Sequence, residues 1–324
     1  MQDVVFFEDG NFEDVLGEEL NKNFSGNKVA VKLHMGEKGN THYLKPDLVK
    51  KVVDVLKNLG LNPFLFDSPV MYPGGRNTVE KYYRTAREHG FSEETIGCPI
   101  VISNEFVIVK TEHLDAQVCK PLSDADNLLV LSHVKGHMCS GFGGAIKNLG
   151  MGGMTIKSKS DIHEGGSPVF AKECVGCGTC VKMCPVQTIS LEEGKAVFDY
   201  SGCWGCGVCI NACPYDVLKP KVASFDRLIS EGAYAVLKGK KAYFVNVIKE
   251  ITKLCDCASD SEIVLSDIGI IMGKDIVAVE KASVDMINKK AGKDLFKEIH
   301  NISPLGHIKE AADLGLGRME YNLK

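Results

Sequence analysis

The chain lacks most of the features that assign a protein to a class at first sight. Its 324 residues contain one tryptophan, and aromatic residues make up 7%. The formal net charge is only −4, so no basic field argues for a nucleic-acid partner. No apolar run approaches the roughly 20 residues that a membrane-spanning helix needs, so no membrane association is expected. Residues 1–9 show neither a basic stretch nor a long apolar core, and the expectation is a cytoplasmic protein without a signal peptide. No G-x-x-x-x-G-K-[ST] phosphate loop occurs. A composition of 44% hydrophobic and 25% charged residues excludes a disordered chain, a fibre and a membrane bundle.

What is present in excess is cysteine, 13 residues, in metal-ligand spacing and not in the pattern of a small secreted disulfide domain. The first run is Cys174-x2-Cys177-x2-Cys180-x3-Cys184-Pro185, and the second is Cys203-x2-Cys206-x2-Cys209-x3-Cys213-Pro214. Two-residue gaps let three successive sulfurs from one loop face the same iron–sulfur cubane. The fourth cysteine follows on the next turn and points toward the other cluster. The expected ligand sets are therefore Cys174, Cys177, Cys180 and Cys213 for one cluster, and Cys203, Cys206, Cys209 and Cys184 for the other. Gly176, Gly178, Gly205 and Gly207 would let the backbone turn its N–H groups toward the cluster. A zinc ribbon needs only four ligands and does not call for paired runs of this kind. Over residues 170–218 the sequence resembles a bacterial-type two-cluster ferredoxin. The implied cofactors are two [4Fe–4S] clusters, and the implied partner is a redox protein or ferredoxin-like donor.

On either side the chain reads as α/β. Val29–Leu33, Pro63–Phe66 and Asn127–Leu131 are short continuous apolar strands. Helices are expected from Pro46 to Gly60, with Val49, Val52, Val53 and Leu56 on one face, and from about Thr78 to His89. Strand candidates recur at Ala242–Val247 and Ile263–Leu265, with a helix over about Ile276–Lys290. Buried strands alternating with amphipathic helices imply a mostly parallel sheet covered on both faces. Phe106–Val109 and Ala116–Val118 read as an antiparallel hairpin, an appendage or an edge. The tail from Ile302 is expected to add a terminal helix. The fold expected is an α/β domain of residues 1–165 and 221–324, interrupted by an α+β ferredoxin-like insert at 166–220.

A glycine-rich loop, residues 133–153, follows the third strand, at the end of a sheet where open α/β folds bind ligands. Gly141, Gly143 and Gly144 could bring backbone N–H groups to an anion, with Lys147 and Asn148 on the helix that follows. Lys147, His133 and His137 are the expected groups for substrate binding and proton transfer. Lys32 and His34, after the first strand, and Arg76, after the second, are expected to face the same small anionic substrate. The alternative is that these glycines only make tight turns beneath the cysteine module. Cys98 and Cys119 are expected to pack as small apolar residues. The pair Cys255-Asp256-Cys257 can place two sulfurs on one metal or at a reactive centre, or can be a structural loop. With Cys139 it forms a possible third redox site, for an additional metal, cluster or flavin.

The whole pattern resembles the iron–sulfur family catalogued as "domain of unknown function 362", in its ferredoxin-containing form. The resemblance rests on Lys32 and its loop, on His133-Val134-Lys135-x-His137 through Ala145-Ile146-Lys147-Asn148-Leu149, on the inserted cysteine unit, on Cys255-Asp256-Cys257, and on Asp267-Ile268-Gly269 and Asp275–Val279. Members often carry proline where Ile276 stands. The resemblance implies clusters and an α/β domain but no agreed substrate. His137, the Gly141–Gly144 turn and Lys147 also resemble the loop of the nickel-dependent lactate racemase family, too briefly for its nickel cofactor to be carried over. The function expected is an iron–sulfur oxidoreductase. The alternatives are an electron carrier whose α/β domain docks a partner, and a non-redox isomerase with structural clusters.

Overall fold

The computed structural model describes residues 2–8 and 11–324. Its strands and helices are β1 (Gln2–Phe7), α1 (Phe12–Asn23), β2 (Lys28–Lys32), α2 (Pro46–Asn58), β3 (Asn62–Asp67), α3 (Val79–Glu88), β4 (Ile100–Ile102), β5 (Asn127–His133), α4 (Ala145–Gly150), α5 (Ile156–Gly165), α6 (Phe225–Leu237), β6 (Lys241–Ile248), β7 (Gly269–Gly273), α7 (Ile276–Ala291), α8 (Gly306–Asp313) and β8 (Tyr321–Leu323), joined by shorter elements.

The eight strands form one sheet in the order β8-β1-β7-β6-β5-β2-β3-β4. Strands β6, β5, β2, β3 and β4 run parallel to one another, whereas β7 is antiparallel to both β6 and β1. The protein is therefore α/β, with a mostly parallel sheet flanked by helices.

Alternation along each strand divides the interior in two. Val29, Val31, Leu129, Leu131, Val245 and Val247 face one side, where they meet Phe12, Leu16 and Leu20 of α1 and Val49, Val52, Val53 and Leu56 of α2. Ala30, Leu128, Val130 and Phe244 face the other, against Ile146 and Leu149 of α4, Leu228 and Ile229 of α6 and Val277, Ala278 and Ala282 of α7. Strands buried on both faces explain the continuous apolar runs. Pro46 stands at the start of α2, where its missing N–H leaves no bond unmade.

Two local expectations differ from the structure, and the hairpin takes the first of its two expected places, as an appendage. Ile263–Leu265 pairs with Ile251–Thr252 in a separate ribbon, and the sheet instead takes the following segment, Gly269–Gly273, as β7. The tail supplies α8 and also β8, which pairs parallel to β1. The hairpin Phe106–Lys110 with Asp115–Cys119 stands as its own two-stranded unit.

The cysteine-rich segment leaves the sheet through a narrow neck. Pro168–Phe170 pairs antiparallel with Leu218–Pro220, and Lys221 N donates to Ser167 O at 2.8 Å. Beyond the neck the segment has a small core of its own, with Cys180, Ile189, Ala196, Cys209, Val217 and Leu218. Strands on both sides of the neck belong to the same sheet. No described helix is long and apolar enough to cross a membrane.

Candidate functional site

The glycine-rich loop leaves β5 at His133, forms a small antiparallel pair from Lys135–His137 and Gly141–Gly143, and enters α4. Its glycines serve close packing. A side chain on Gly136 would collide with the Lys253 carbonyl, in the segment that leads to Cys255, and one on Gly144 would strike the buried Glu280 carboxylate. Gly141 and Gly143 are buried in the same pair. The bare Cα of Gly143 leaves room for the Lys147 side chain, whose Cδ passes 3.2 Å from where a Cβ would stand.

Lys32 and Asn148 do not reach an opening. Lys32 Nζ donates to Asp67 Oδ1 at 2.9 Å, Asn148 Oδ1 at 2.7 Å and Leu33 O at 3.1 Å. Asn148 Nδ2 donates to Ser132 Oγ at 3.0 Å and Leu131 O at 3.1 Å. These bonds tie the ends of β2, β3 and β5 to α4, and they leave neither side chain a free donor for a ligand. Expected as ligand-binding groups, both are structural braces. A buried ammonium stripped of water must be paired in this way.

Lys147 lies on the open side of α4 and meets the pair Cys255 and Cys257. The pair sits in a turn closed by Ala258 N donating to Cys255 O at 2.9 Å. Cys257 Sγ lies 3.5 Å from His34 Nε2. The Cys255 thiol beside it, with Lys147, His34 and Arg76 nearby, holds the Cys257 thiol well below the usual thiol range against the effect of burial. The same pairing, with burial, raises Cys255. Burial would lower the Lys147 pKa, but Cys255, Cys257 and Cys139 beside it raise it above the usual lysine range. Arg76 is buried, donates to Glu37 Oε2 at 3.0 Å and Tyr72 OH at 2.6 Å, and faces Cys257. Two cations thus stand near two thiols that are each partly exposed.

The histidines divide by role. His133 is fully engaged, with Nδ1 at 3.0 Å from Asp256 Oδ2 and Nε2 at 2.7 Å from Lys249 O. Both ring nitrogens are occupied by oxygen partners. This contact clamps Asp256, the residue between the two thiols, and makes His133 a positioning residue and not a free acid. His137 Nδ1 lies 2.8 Å from Ser140 Oγ. Burial, followed by the charge of Lys147, lowers its pKa well below the usual value, so the ring is neutral. A second opening of about 340 Å³ lies at the ends of β5 and β6, lined by Tyr43, Lys45, Lys51, Glu250 and Asp267 among others. Of the loop it touches only His133.

Behind α4, Glu280 accepts from Ala145 N and from Asn246 Nδ2, at 3.2 Å in the second case. His307 Nε2 stands 3.4 Å from Glu280 Oε2. Sequence reasoning missed Glu280, His307 and Tyr72. A polar residue inside the apolar stripe of α7 was the one available signal for Glu280.

In the cysteine module, Cys174, Cys177, Cys180 and Cys213 line one cavity together with Phe170, Val175, Leu191, Tyr215 and Val217. Cys209, in the other set, is pushed up to about 12 by burial and by Cys206, Cys203 and Cys184 beside it. The two runs repeat in backbone as well as in sequence. Gly178 and Gly207 have φ 74° and 75°, Gln187 and Asp216 both have φ 54°, and Gly176 N and Gly205 N each lie 3.4 Å from the sulfur two residues earlier. An all-thiol donor set gathered in two groups of four fits soft iron–sulfur chemistry. Cys98 and Cys119 are buried with the core, their thiols each pushed up to about 11 by burial.

The module touches the crevice at one place. The Trp204 carbonyl accepts from His163 Nδ1 at 2.8 Å and lies 3.9 Å from Cys139 Sγ. Burial, and then Cys206, raise the Cys139 thiol well above the usual range, with Lys147 acting in the opposite direction. Lys147 is thus near enough to Cys139, Cys255 and Cys257 for all three to act on its charge.

The model of the family described as "Domain of unknown function (DUF362)" matches residues 29–285. The chain belongs to this family. Among curated proteins, Ferredoxin-2 of Desulfomicrobium norvegicum is 52% identical over 29 residues, 9% of this chain and 49% of the ferredoxin. Among solved structures, this DUF362 chain is similar to a protein from Thermotoga maritima, with a TM-score of 0.45, 11% identity, and coverage of 89% of this chain and 60% of that one. It is also similar to the lactate racemase apoprotein from Thermoanaerobacterium thermosaccharolyticum, with a TM-score of 0.38, 12% identity, and coverage of 77% and 51%. The chain spans about half to three-fifths of the length of the proteins it matches.

Proposed function

We infer that this DUF362 chain is an iron–sulfur oxidoreductase acting on a small anionic substrate in the crevice at Lys147. In this reading residues 166–220 are a two-cluster module inserted into one α/β domain. Cys174, Cys177, Cys180 and Cys213 would hold one [4Fe–4S] cluster, and Cys203, Cys206, Cys209 and Cys184 the other. When bound, such clusters supply one-electron transfer. The observation that carries the reading is the seat of the Trp204 carbonyl against Cys139 and His163, since it sets the Cys203–Cys206 loop beside the crevice.

The chain's own residues would act as follows. Lys147 attracts the anion, and its desolvation strengthens that attraction, whereas the buried Arg76 is spent on Glu37 and Tyr72 and adds only its charge behind Cys257. The neutral His137, oriented by Ser140, exchanges a proton with the substrate. Glu37 and Tyr72 fix the Arg76 guanidinium. A ferredoxin-like partner would approach the first cysteine run, where Val175, Leu191 and Tyr215 are exposed.

The test begins with protein purified without oxygen. Iron and acid-labile sulfide are expected to match two four-iron clusters per chain, with a paramagnetic signal on reduction. Lys147→Met is expected to leave those clusters reducible while abolishing anion binding in the crevice. Absence of iron would overturn the cluster reading. Anion binding unchanged in Lys147→Met would favour the electron carrier over the enzyme.

A further inference from the structure

The pair Cys255 and Cys257 has chemistry that neither the clusters nor anion binding requires. The two thiols are one residue apart in a tight turn, both are partly exposed, Cys257 Sγ lies 3.5 Å from His34 Nε2, and Lys147 and Arg76 stand near Cys257. A single divalent cation would add positive charge where two buried cations already stand. Among the described residues, the only three His, Cys, Asp or Glu side chains whose ligand atoms lie within 4.8 Å of one another are Glu112, His113 and Glu231, elsewhere in the fold. Arg227 already ion-pairs with two of those three. The geometry at Cys255 and Cys257 suits sulfur redox chemistry instead. Reactive thiols occupy partly exposed, electropositive surroundings, and cations that stabilise the thiolate make the dithiol couple more oxidising.

We propose that Cys255 and Cys257 form a redox-active dithiol–disulfide couple, a two-electron junction between one-electron iron–sulfur donors and the crevice. The inference rests on the cluster reading only for the source of its electrons. In the reductive step the Cys255–Cys257 sulfur–sulfur bond breaks and takes up two electrons, delivered singly by ferredoxin-type iron–sulfur donors. One proton from solvent goes to the Cys255 sulfur, and Cys257 leaves as the thiolate. That product places the thiolate on Cys257, 3.5 Å from His34 Nε2 and near Lys147 and Arg76. Iron–sulfur donors release electrons one at a time, whereas most bond-making reductions of organic substrates need a pair. A dithiol stores that pair. Lys147 is a positioning residue for this couple, because it stabilises the thiolate without changing its own bonds.

The full chain, purified without oxygen, is equilibrated with graded mixtures of reduced and oxidised glutathione. It is then quenched with acid, alkylated and digested with trypsin. The peptide Leu254–Lys274 carries both thiols and no other cysteine. It is expected to convert between a doubly alkylated form and an unalkylated form lighter by two hydrogens, as one two-electron couple. Chemically reduced viologen, a one-electron donor, is expected to restore the dithiol. Lys147→Met should shift the equilibrium at least tenfold toward the disulfide, and Lys147→Arg should restore it. Cys255→Ser and Cys257→Ser should each abolish the lighter form. Two alkylated thiols at every poise, glutathione adducts on single cysteines, or protection lifted only by a chelator would overturn the proposal. Iron measured on the same sample separates the two readings. Iron-free protein with an intact couple overturns the clusters alone, and iron-loaded protein without the couple overturns the dithiol alone.

Discussion

His133 Nδ1 lies 3.0 Å from Asp256 Oδ2, and this contact fixes the residue that separates the two crevice thiols. Both side chains are nine-tenths or more buried. Burial would raise the Asp256 pKa, but His133 and then Lys135 bring it below the usual carboxylate value. A group held down in this way adds stability that is present above its unfolded value, near 3.8, and is lost as pH falls through the lower folded value. His133→Ala leaves the carboxylate with Lys135 at 3.8 Å as its remaining charge partner. The expected loss is about 3–5 kcal/mol by urea unfolding at neutral pH, the cost of breaking a buried pair. The variant should also lose the acid-side dependence assigned to Asp256. Unchanged stability would show that the clamp is dispensable.

The thiolate field of the crevice has a direct pH readout. Cys257 is held well below the usual thiol range by the Cys255 thiol beside it, Lys147, His34 and Arg76. Its alkylation rate should therefore plateau at a pH below the usual thiol value of about 8.5. Lys147→Met should move the plateau upward by at least one pH unit, whereas Lys147→Arg should not. Stopped-flow alkylation across pH, read by mass spectrometry at Cys257, checks this. Coincident profiles would remove Lys147 from the site.

Glu280 and His307 hold the start of α4 from behind. Burial would lower the His307 pKa, but Asp226 and Glu280 outweigh it and raise the ring to about 9. The distances, 3.7 Å to Asp226 Oδ1 and 3.4 Å to Glu280 Oε2, are those of ion pairs and not of aligned hydrogen bonds. A raised folded value means stability fully present below the unfolded histidine value of about 6.5, and lost as pH rises through about 9. Urea unfolding should show a decline across that window in the native chain. His307→Gln should remove the pH slope. A native profile flat between those values would show that the ring is not charged.

The two sides of the sheet should respond to truncation as packed cores do. Leu131 is fully buried against α1 and α2 at the centre of the sheet. Leu131→Ala is expected to cost about 2–5 kcal/mol, since the lost side chain leaves a cavity that the sheet cannot close. Chemical denaturation with unchanged denaturant dependence would measure that loss. A change below about 1 kcal/mol would mean that the site collapses.

Local pattern was enough to read the strands β2, β3, β5 and β6, the helices α2 and α3, and the eight cysteines in two runs. Those features depend on spacing along the chain, because alternation, helical periodicity and two-residue ligand gaps act over a few residues. The antiparallel entry of β7 was not legible, since Gly269–Gly273 is short and bounded by glycine, and one of its partners, β1, is distant in sequence. The roles of the polar residues were settled in three dimensions only. Lys32 ends a buried strand and Lys147 opens the helix beyond the glycine-rich loop, and nothing in the sequence tells which of the two charges is paired. One is consumed by Asp67 and Asn148 because it points into the sheet–helix junction, and the other meets two thiols because Gly143 opens a path for it. By itself, the sequence determined the kind of fold. Tertiary structure decided which charges are spent and which remain free, because the desolvation and pairing of a charge depend on neighbours brought together by the fold.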